Sequence, residues 1–374
     1  MRTVLLPGIS AALIVRDEAG FIEDCLLSLV GVVDEIVLVD TGSRDDTLTI
    51  AGKYQIRIEH FSWCNDFSAA RNYALSCARH EWILYIDADE RFYVPDETAF
   101  RAALADRKKA AWKLRLHPRL NWTAYSELRI FRNDARIRFE GEIHERVHPS
   151  VNAVCAADGV SIGVCNVAIQ HVGYEADQTY KLARNIPLLQ AYLAREPSRV
   201  YCWWHLGEQF RLAGNEDAAR AAWQSGVAAV RAQSVAQTET SDSMVFSALI
   251  ISRHQAGLPI DELLDQALQL FPSQLTLQWM AGKYALERNE TDTARDIFSR
   301  LAAIKGDIFF DEQIAYDRAL FTHTVQESLA LTEFRAGHFA LAAWHYRQAA
   351  NTSPDANALQ IKASLAAAKA LRTA

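Results

Sequence analysis

Methionine and cysteine are scarce in this chain, with three and six residues among 374. The cysteines, at 25, 64, 77, 155, 165 and 202, never form a Cys-x-x-Cys pair, and several fall inside apolar patterns. That spacing argues against a disulfide framework or zinc ligands and points to buried, reduced thiols in a cytoplasmic protein. Long apolar runs are also missing: nothing approaches the ~18 residues of a membrane span. Residues 3–15 resemble a secretory leader only superficially, because Pro7-Gly8 interrupts them and the charged Arg16-Asp17-Glu18 follows without a cleavage site. Nor is there a surplus of positive charge. With 39 basic and 46 acidic side chains the net charge is −7, which gives no general cationic field for nucleic acid. What is present is a half-apolar chain with 23% charged residues, ordinary for a packed protein and long enough for about two to three domains.

The most informative stretch is Asp87-Ala88-Asp89-Glu90, which ends the apolar run Trp82-Ile83-Leu84-Tyr85-Ile86 on two carboxylates. In an extended backbone, positions i and i+2 share a face, where a hard divalent cation can take both with water and phosphate oxygens. Asp-x-Asp alone is a weak signal, since aspartates are common in turns. Its context strengthens it: the strand-like Glu35-Ile36-Val37-Leu38-Val39-Asp40 also ends on an acid, before the turn Thr41 to Thr47. In open α/β sheets ligands bind beyond the carboxyl ends of the strands.

Short β-type runs alternate with helical patterns over the first 175 residues. Ile9 to Val15, Glu35 to Asp40 and Arg57 to Phe61 read as strands; helical patterns at residues 19–31 and Asp45 to Tyr54 lie between them, and a helix capped by Asp66 leads from the third into the Asp-x-Asp strand. This order predicts a Rossmann-like, mostly parallel sheet. From Ala111 the pattern changes to β runs without helices between them: Ala111 to Leu116, Glu127 to Arg132, Ile137 to Ile143 and Val160 to Gln170, an antiparallel addition. Residues 176–374 are rich in Ala, Leu and Trp, and predict an all-α half. Within it Leu212–Trp223, Glu287–Phe298 and Arg335–Trp344 each run from a Gly or Asn turn into an Ala-rich amphipathic helix, while Trp204, Leu206, Gly207 and Phe210 are similar to the tetratricopeptide repeat pattern. The spacing of the three is uneven.

Residues 9–175 resemble the family 2 glycosyltransferases of GT-A fold, in the branch with lipopolysaccharide-core glucosyltransferases and bacteriocin peptide S-glycosyltransferases. The resemblance rests on motifs in order: Ile14-Val15-Arg16-Asp17-Glu18; Val39-Asp40-Thr41-Gly42-Ser43 with Asp46-Thr47; Trp63-Cys64-Asn65-Asp66-Phe67-Ser68-Ala69-Ala70-Arg71-Asn72; Asp87-Ala88-Asp89-Glu90; Gly141-Glu142-Ile143-His144-Glu145; and His171-Val172-Gly173-Tyr174. Asp17 departs from the family's usual asparagine. The resemblance implies Asp87 and Asp89 as holders of Mn²⁺ or Mg²⁺ and ribose-phosphate, with Asp40 at the uracil-ribose end of a UDP-sugar. Asp17 and Glu18 fall in the same nucleotide-binding group. His171 is a candidate further metal ligand, an imidazole suiting Mn²⁺ better than Mg²⁺, and Arg71 a candidate diphosphate contact.

The implied chemistry is metal-assisted displacement of a nucleoside diphosphate from sugar C1, with inversion, while a carboxylate takes the acceptor's proton. Glu145 leads as base, Glu142 follows, and His144 would share a strand face with Glu142. Trp63 is placed near the site; Trp122 and Tyr125 are open to a sugar-stacking or a packing role. A peptide or protein acceptor, captured by the helical half, is favoured over a lipopolysaccharide or other glycan, and the same helices are a candidate homodimer contact. Two other classes compete: a non-catalytic binding module, disfavoured by the full complement of acids, and a two-carboxylate glycoside hydrolase, which has no use for a nucleotide turn at Asp40.

Overall fold

The computed structural model describes residues 6–173 and 181–373. Tyr174 and the expected domain boundary at 175/176 lie outside them. The chain forms two compact units, residues 1–120 with 124–197, and residues 121–123 with 198–374.

The first unit contains β1 (Leu6–Val15), α1 (Ile22–Leu29), β2 (Glu35–Asp40), α2 (Thr47–Ala51), β3 (Arg57–His60), α3 (Phe67–Cys77), β4 (His80–Tyr85), β5 (Glu90–Tyr93), α4 (Glu97–Leu104), β6 (Lys109–His117), β7 (Tyr125–Arg132), α5 (His148–Asp158), β8 (Ser161–His171) and α6 (Leu182–Arg195). Its eight strands form one sheet in the order β3-β2-β1-β4-β7-β6-β8-β5. Neighbours from β3 to β4 are parallel, β7 is antiparallel to β4 and β6, and β5 is antiparallel to β8. Ile36-Val37-Leu38-Val39 is apolar throughout because both faces of β2 are covered, as in parallel sheets generally. Ile36 and Leu38 join a core with Leu26 and Leu29 of α1, whereas Val37 and Val39 join one with Ala74 and Leu75 of α3.

The parallel half thus follows the expected order, but the added half departs from it. Helices do intervene after Ala111, because α5 stands between β7 and β8. Pro149 sits in its first turn and the left-handed Gly159, at φ 65°, ends it. The run Ile137 to Ile143 is not a strand. Ile137, Phe139 and Ile143 are buried as loop residues, and backbone bonds between Glu140 and Arg146 close a tight loop across Gly141 and His144, which have φ of 97° and 50°. Glu142 and His144 therefore share no strand face.

The second unit is helical: α7 (Val200–Leu212), α8 (Glu216–Ala232), α9 (Ser243–Gln255), α10 (Asp261–Leu270), α11 (Leu275–Glu287), α12 (Thr291–Ala302), α13 (His323–Arg335), α14 (Phe339–Ala350) and α15 (Ala356–Thr373). The three turns recognised in the sequence join α7 to α8, α11 to α12 and α13 to α14, and Gly214, Asn289 and Gly337 are all left-handed. Each following helix buries one aromatic, Trp223, Phe298 or Tyr346, in its own core cluster. The pair α9–α10, turning at Gly257, fills the interval that made the repeat spacing look irregular. Trp122 belongs here, where its backbone bridges Asp317 and its neighbour Thr123 bonds Tyr316. Among the described residues no helix is long and apolar enough to cross a membrane.

Candidate active site

The Trp63–Asn72 motif is physically a clamp. Asp66 caps α3 by accepting from the Ala69 amide at 3.0 Å. Four residues of the same helix start, Phe67, Ser68, Arg71 and Asn72, then make the contacts. The Phe67 amide donates to the Glu142 carbonyl at 2.9 Å, Ser68 Oγ to the Gly141 carbonyl at 2.6 Å, and Asn72 exchanges two bonds with the Phe139 backbone. Arg71, 7% exposed, then reaches two carboxylates: Nε bonds Glu145 Oε1 and Nη2 bonds Asp87 Oδ1, each at 2.7 Å. One buried guanidinium therefore ties the Asp-x-Asp turn to the candidate base. Burial alone would raise the Asp87 carboxyl; the Arg71 and Arg129 guanidiniums outweigh it and hold it below its ordinary value. The Trp63 ring packs edge-on against Phe67, centroids 4.8 Å apart, beside this clamp.

The two aspartates do not share an extended face as expected. The chain leaves β4 at Tyr85 and turns, the Glu90 amide donating to the Asp87 carbonyl at 3.0 Å. Asp87 consequently faces Arg71, and Asp89 faces His171, whose Nε2 lies 3.4 Å from Asp89 Oδ2. The His171-Val172-Gly173 segment wraps Asp89: the Val172 amide donates to the Asp89 carbonyl at 2.9 Å, and a side chain at Gly173 would meet Asp89 Oδ2 at 2.1 Å. Only glycine permits that approach. Burial disfavours the charged His171 ring, but the Asp89 carboxylate, with Glu90 and Asp87 beyond it, moves its pKa upward.

Asp40 accepts from the Gly42 and Ser43 amides at 3.1 and 3.0 Å and so shapes the turn after β2. Asp17 is left-handed at φ 57° and accepts from the Arg44 amide at 2.7 Å, binding the first turn to the second. Aspartate, like asparagine, tolerates that conformation, so its substitution at this position keeps the backbone. The Glu18 amide donates to Thr47 Oγ1 at 2.8 Å. Burial, and then the negative charge of Asp89, push the Glu18 carboxyl from 4.5 to about 7, with Asp87 and Asp45 adding to it and Lys181 opposing. A carboxyl raised on folding stabilises the fold fully below its unfolded pKa and loses that contribution as pH rises through the folded value. Glu18→Gln, which cannot ionise, should therefore gain melting temperature over wild type at pH 8 relative to pH 5. An identical difference at both pH values would contradict the assignment.

The structure thus gathers Arg71, Asp87 and Glu145 in one ion-paired group and Asp89 with His171 in another. Glu142 stands apart, paired with Arg195 of α6 at 2.9 Å. Residues without an assigned role in the sequence prove structural to the site: Ser68 and Asn72 hold the base loop, and Glu90 supports the aspartate turn. The Trp63–Asn72 motif was the available signal, but only the fold shows what its polar positions grip.

An acid-lined edge of a mainly parallel sheet with an antiparallel extension, joined in sequence to helical repeats, defines a GT-A domain with a tetratricopeptide-like unit. Residues 10–152, within the first unit, match the family described as Glycosyl transferase family 2. The chain is 33% identical over 258 residues to a TPR repeat-containing protein of Synechococcus elongatus, covering 67% of this chain and 63% of the relative. It is 27% identical over 222 residues to the SPbeta prophage-derived glycosyltransferase SunS of Bacillus subtilis, covering 57% and 51%. It is 28% identical over 170 residues to the lipopolysaccharide core biosynthesis glycosyltransferase LpsC of Rhizobium meliloti, covering 40% and 61%. The chain spans between half and two thirds of the length of these relatives.

Proposed function

We propose that the protein is an inverting, divalent-metal-dependent glycosyltransferase that moves a sugar from a UDP-sugar to a peptide or protein acceptor. The observation that carries the reading is the Arg71 bridge, which places a donor-side carboxylate and a base-side carboxylate on one buried cation. The groups that would hold a divalent cation together with phosphate oxygens are Asp89 and His171, 3.4 Å apart, and the Asp87 oxygen not committed to Arg71. Among the described residues no three His, Cys, Asp or Glu side chains lie together as a group that could hold a metal ion, so a cation here would need phosphate oxygens of the donor to complete its coordination. When bound, it neutralises charge developing on the departing diphosphate.

The chain's own residues do the rest. Asp40, Asp17 and Glu18 fix the turns that receive the nucleotide. Arg71 holds Oε1 of Glu145, leaving Oε2 to take the acceptor's proton as the acceptor bonds C1 and the C1–O bond to the diphosphate breaks. Glu142, held by Arg195, is the second candidate base, with His144 in the same loop. One displacement inverts C1. An α-linked donor should give a β-linked product, read from the anomeric coupling by NMR; retained configuration would sink the single-displacement scheme.

The helical unit is assigned to acceptor capture, because stacked helix pairs present extended surfaces suited to peptides; homodimerisation through it is the competing task. The relative named for lipopolysaccharide core biosynthesis favours a glycan as the second reading of the acceptor. Cys25, Cys64, Cys77, Cys155 and Cys165 are free thiols, in keeping with a reducing cytoplasmic setting.

A further inference from the structure

Glu90 is 1% exposed and lies directly after the aspartate turn, yet neither metal binding nor proton transfer uses it. Its carboxylate meets Arg129, itself 7% exposed, through two parallel bonds: Nη1 to Oε2 at 2.9 Å and Nη2 to Oε1 at 2.8 Å. The same Oε2 accepts the backbone amide of Asp87 at 2.9 Å. In the sheet, Glu90 stands opposite His171 in the β5–β8 register. Arg129 lies over the Tyr85 ring at 4.6 Å, and Arg71 lies over that ring at 5.3 Å.

Glu90 is therefore linked to all three carriers of the cation-binding groups, through its side chain to Asp87 and through the backbone to the other two. Glu90 is bonded to the amide of Asp87, adjacent in sequence to Asp89, and paired by strand register with His171. A buried ion pair adds little net stability over apolar residues of similar volume, because desolvation offsets the attraction. Such a pair acquires a purpose when it holds a backbone whose neighbours must bind a ligand, since the partners behind a metal ligand set its orientation.

We propose that Glu90 and Arg129 are positioning residues that hold the Asp87–Asp89 turn and the His171 strand in register for the cation and diphosphate, an inference that rests on the transferase reading above. Glu90 fixes the direction of the Asp87 amide. Arg129 fixes Glu90 with both prongs and is steadied by the Tyr85 face. Neither touches substrate.

The test is calorimetric titration of Mn²⁺ into the full-length protein with UDP present, beside thermal melts, for wild type, E90M/R129M and Arg129→Lys. The double variant removes both charges together at similar volume, so its fold is expected to survive, with a melting temperature lowered modestly by the Asp87 amide that loses its acceptor. Its Mn²⁺ affinity should nevertheless fall about tenfold or more, the usual effect of losing a group behind a metal ligand. Arg129→Lys, which keeps the charge without the two-pronged grip, should fall in between, and it carries the test alone should the double variant fail to fold. Wild-type affinity in a folded double variant, or in Arg129→Lys, would overturn the proposal. Wild type that is folded and takes up no Mn²⁺ with UDP would instead overturn the transferase reading, and this inference with it.

Discussion

Arg71→Met should destabilise the first unit by about 3–5 kcal/mol, the usual cost of removing one partner from a buried ion pair. Asp87 and Glu145 would be left facing each other's charge around an apolar side chain, and Asp87 would lose the cation that keeps its carboxyl below the ordinary range. For a domain of this size about 1 kcal/mol corresponds to roughly 2–4 °C, so the melting temperature should drop by several to many degrees. Lysine at the same position keeps a charge but not two separate prongs, and should recover only part of the loss. The prediction also separates two roles for this residue. A diphosphate contact at a helix start would weaken nucleotide binding and leave the melt unchanged; an internal bridge moves both. An unchanged melting temperature in Arg71→Met would therefore return the residue to the diphosphate.

Asp89→Asn should abolish metal-dependent donor turnover, by about a thousandfold, because a cation at the leaving group supplies several kcal/mol of charge stabilisation. The substitution preserves shape, and the Asp89 carbonyl still receives the Val172 amide, so circular dichroism and the melt should stay close to wild type. Asp87→Asn should act in the same direction but retain more activity, since one Asp87 oxygen is already committed to Arg71. Release of UDP from a donor by Asp89→Asn at the wild-type rate in Mn²⁺ would refute the assignment of this residue to the cation.

The parallel half of the sheet was legible because its physics is local. Apolar runs of strand length, acids at their carboxyl ends and an Asp66 cap each leave a mark in a few adjacent residues. The antiparallel half was less legible. Ile137, Phe139 and Ile143 alternate like a strand because their side chains are buried, but the left-handed Gly141 and His144 break the backbone between them. The helix α5 was hidden by a weakly amphipathic sequence, only Val151 and Val154 being buried in it. The aspartate pair was found for a reason the structure does not share: the residues lie in a turn and face different partners. Long-range pairs such as Arg71 with Glu145 and Glu90 with Arg129 leave no periodic trace, because nothing in the intervening sequence announces which carboxylate a buried guanidinium will meet. In the helical unit the turn residues were readable as Gly or Asn at left-handed positions, while α9–α10 escaped notice because its helices lack the Ala-rich start of the other pairs.

The most direct test of the account is release of UDP by the full-length protein from a panel of UDP-sugars, measured with Mn²⁺ and again with a chelator. Release from at least one donor in Mn²⁺, its loss in the chelator, and its recovery when the metal is restored are expected. A folded protein that releases no UDP from any of the sugars, or releases it equally with and without metal, would contradict it.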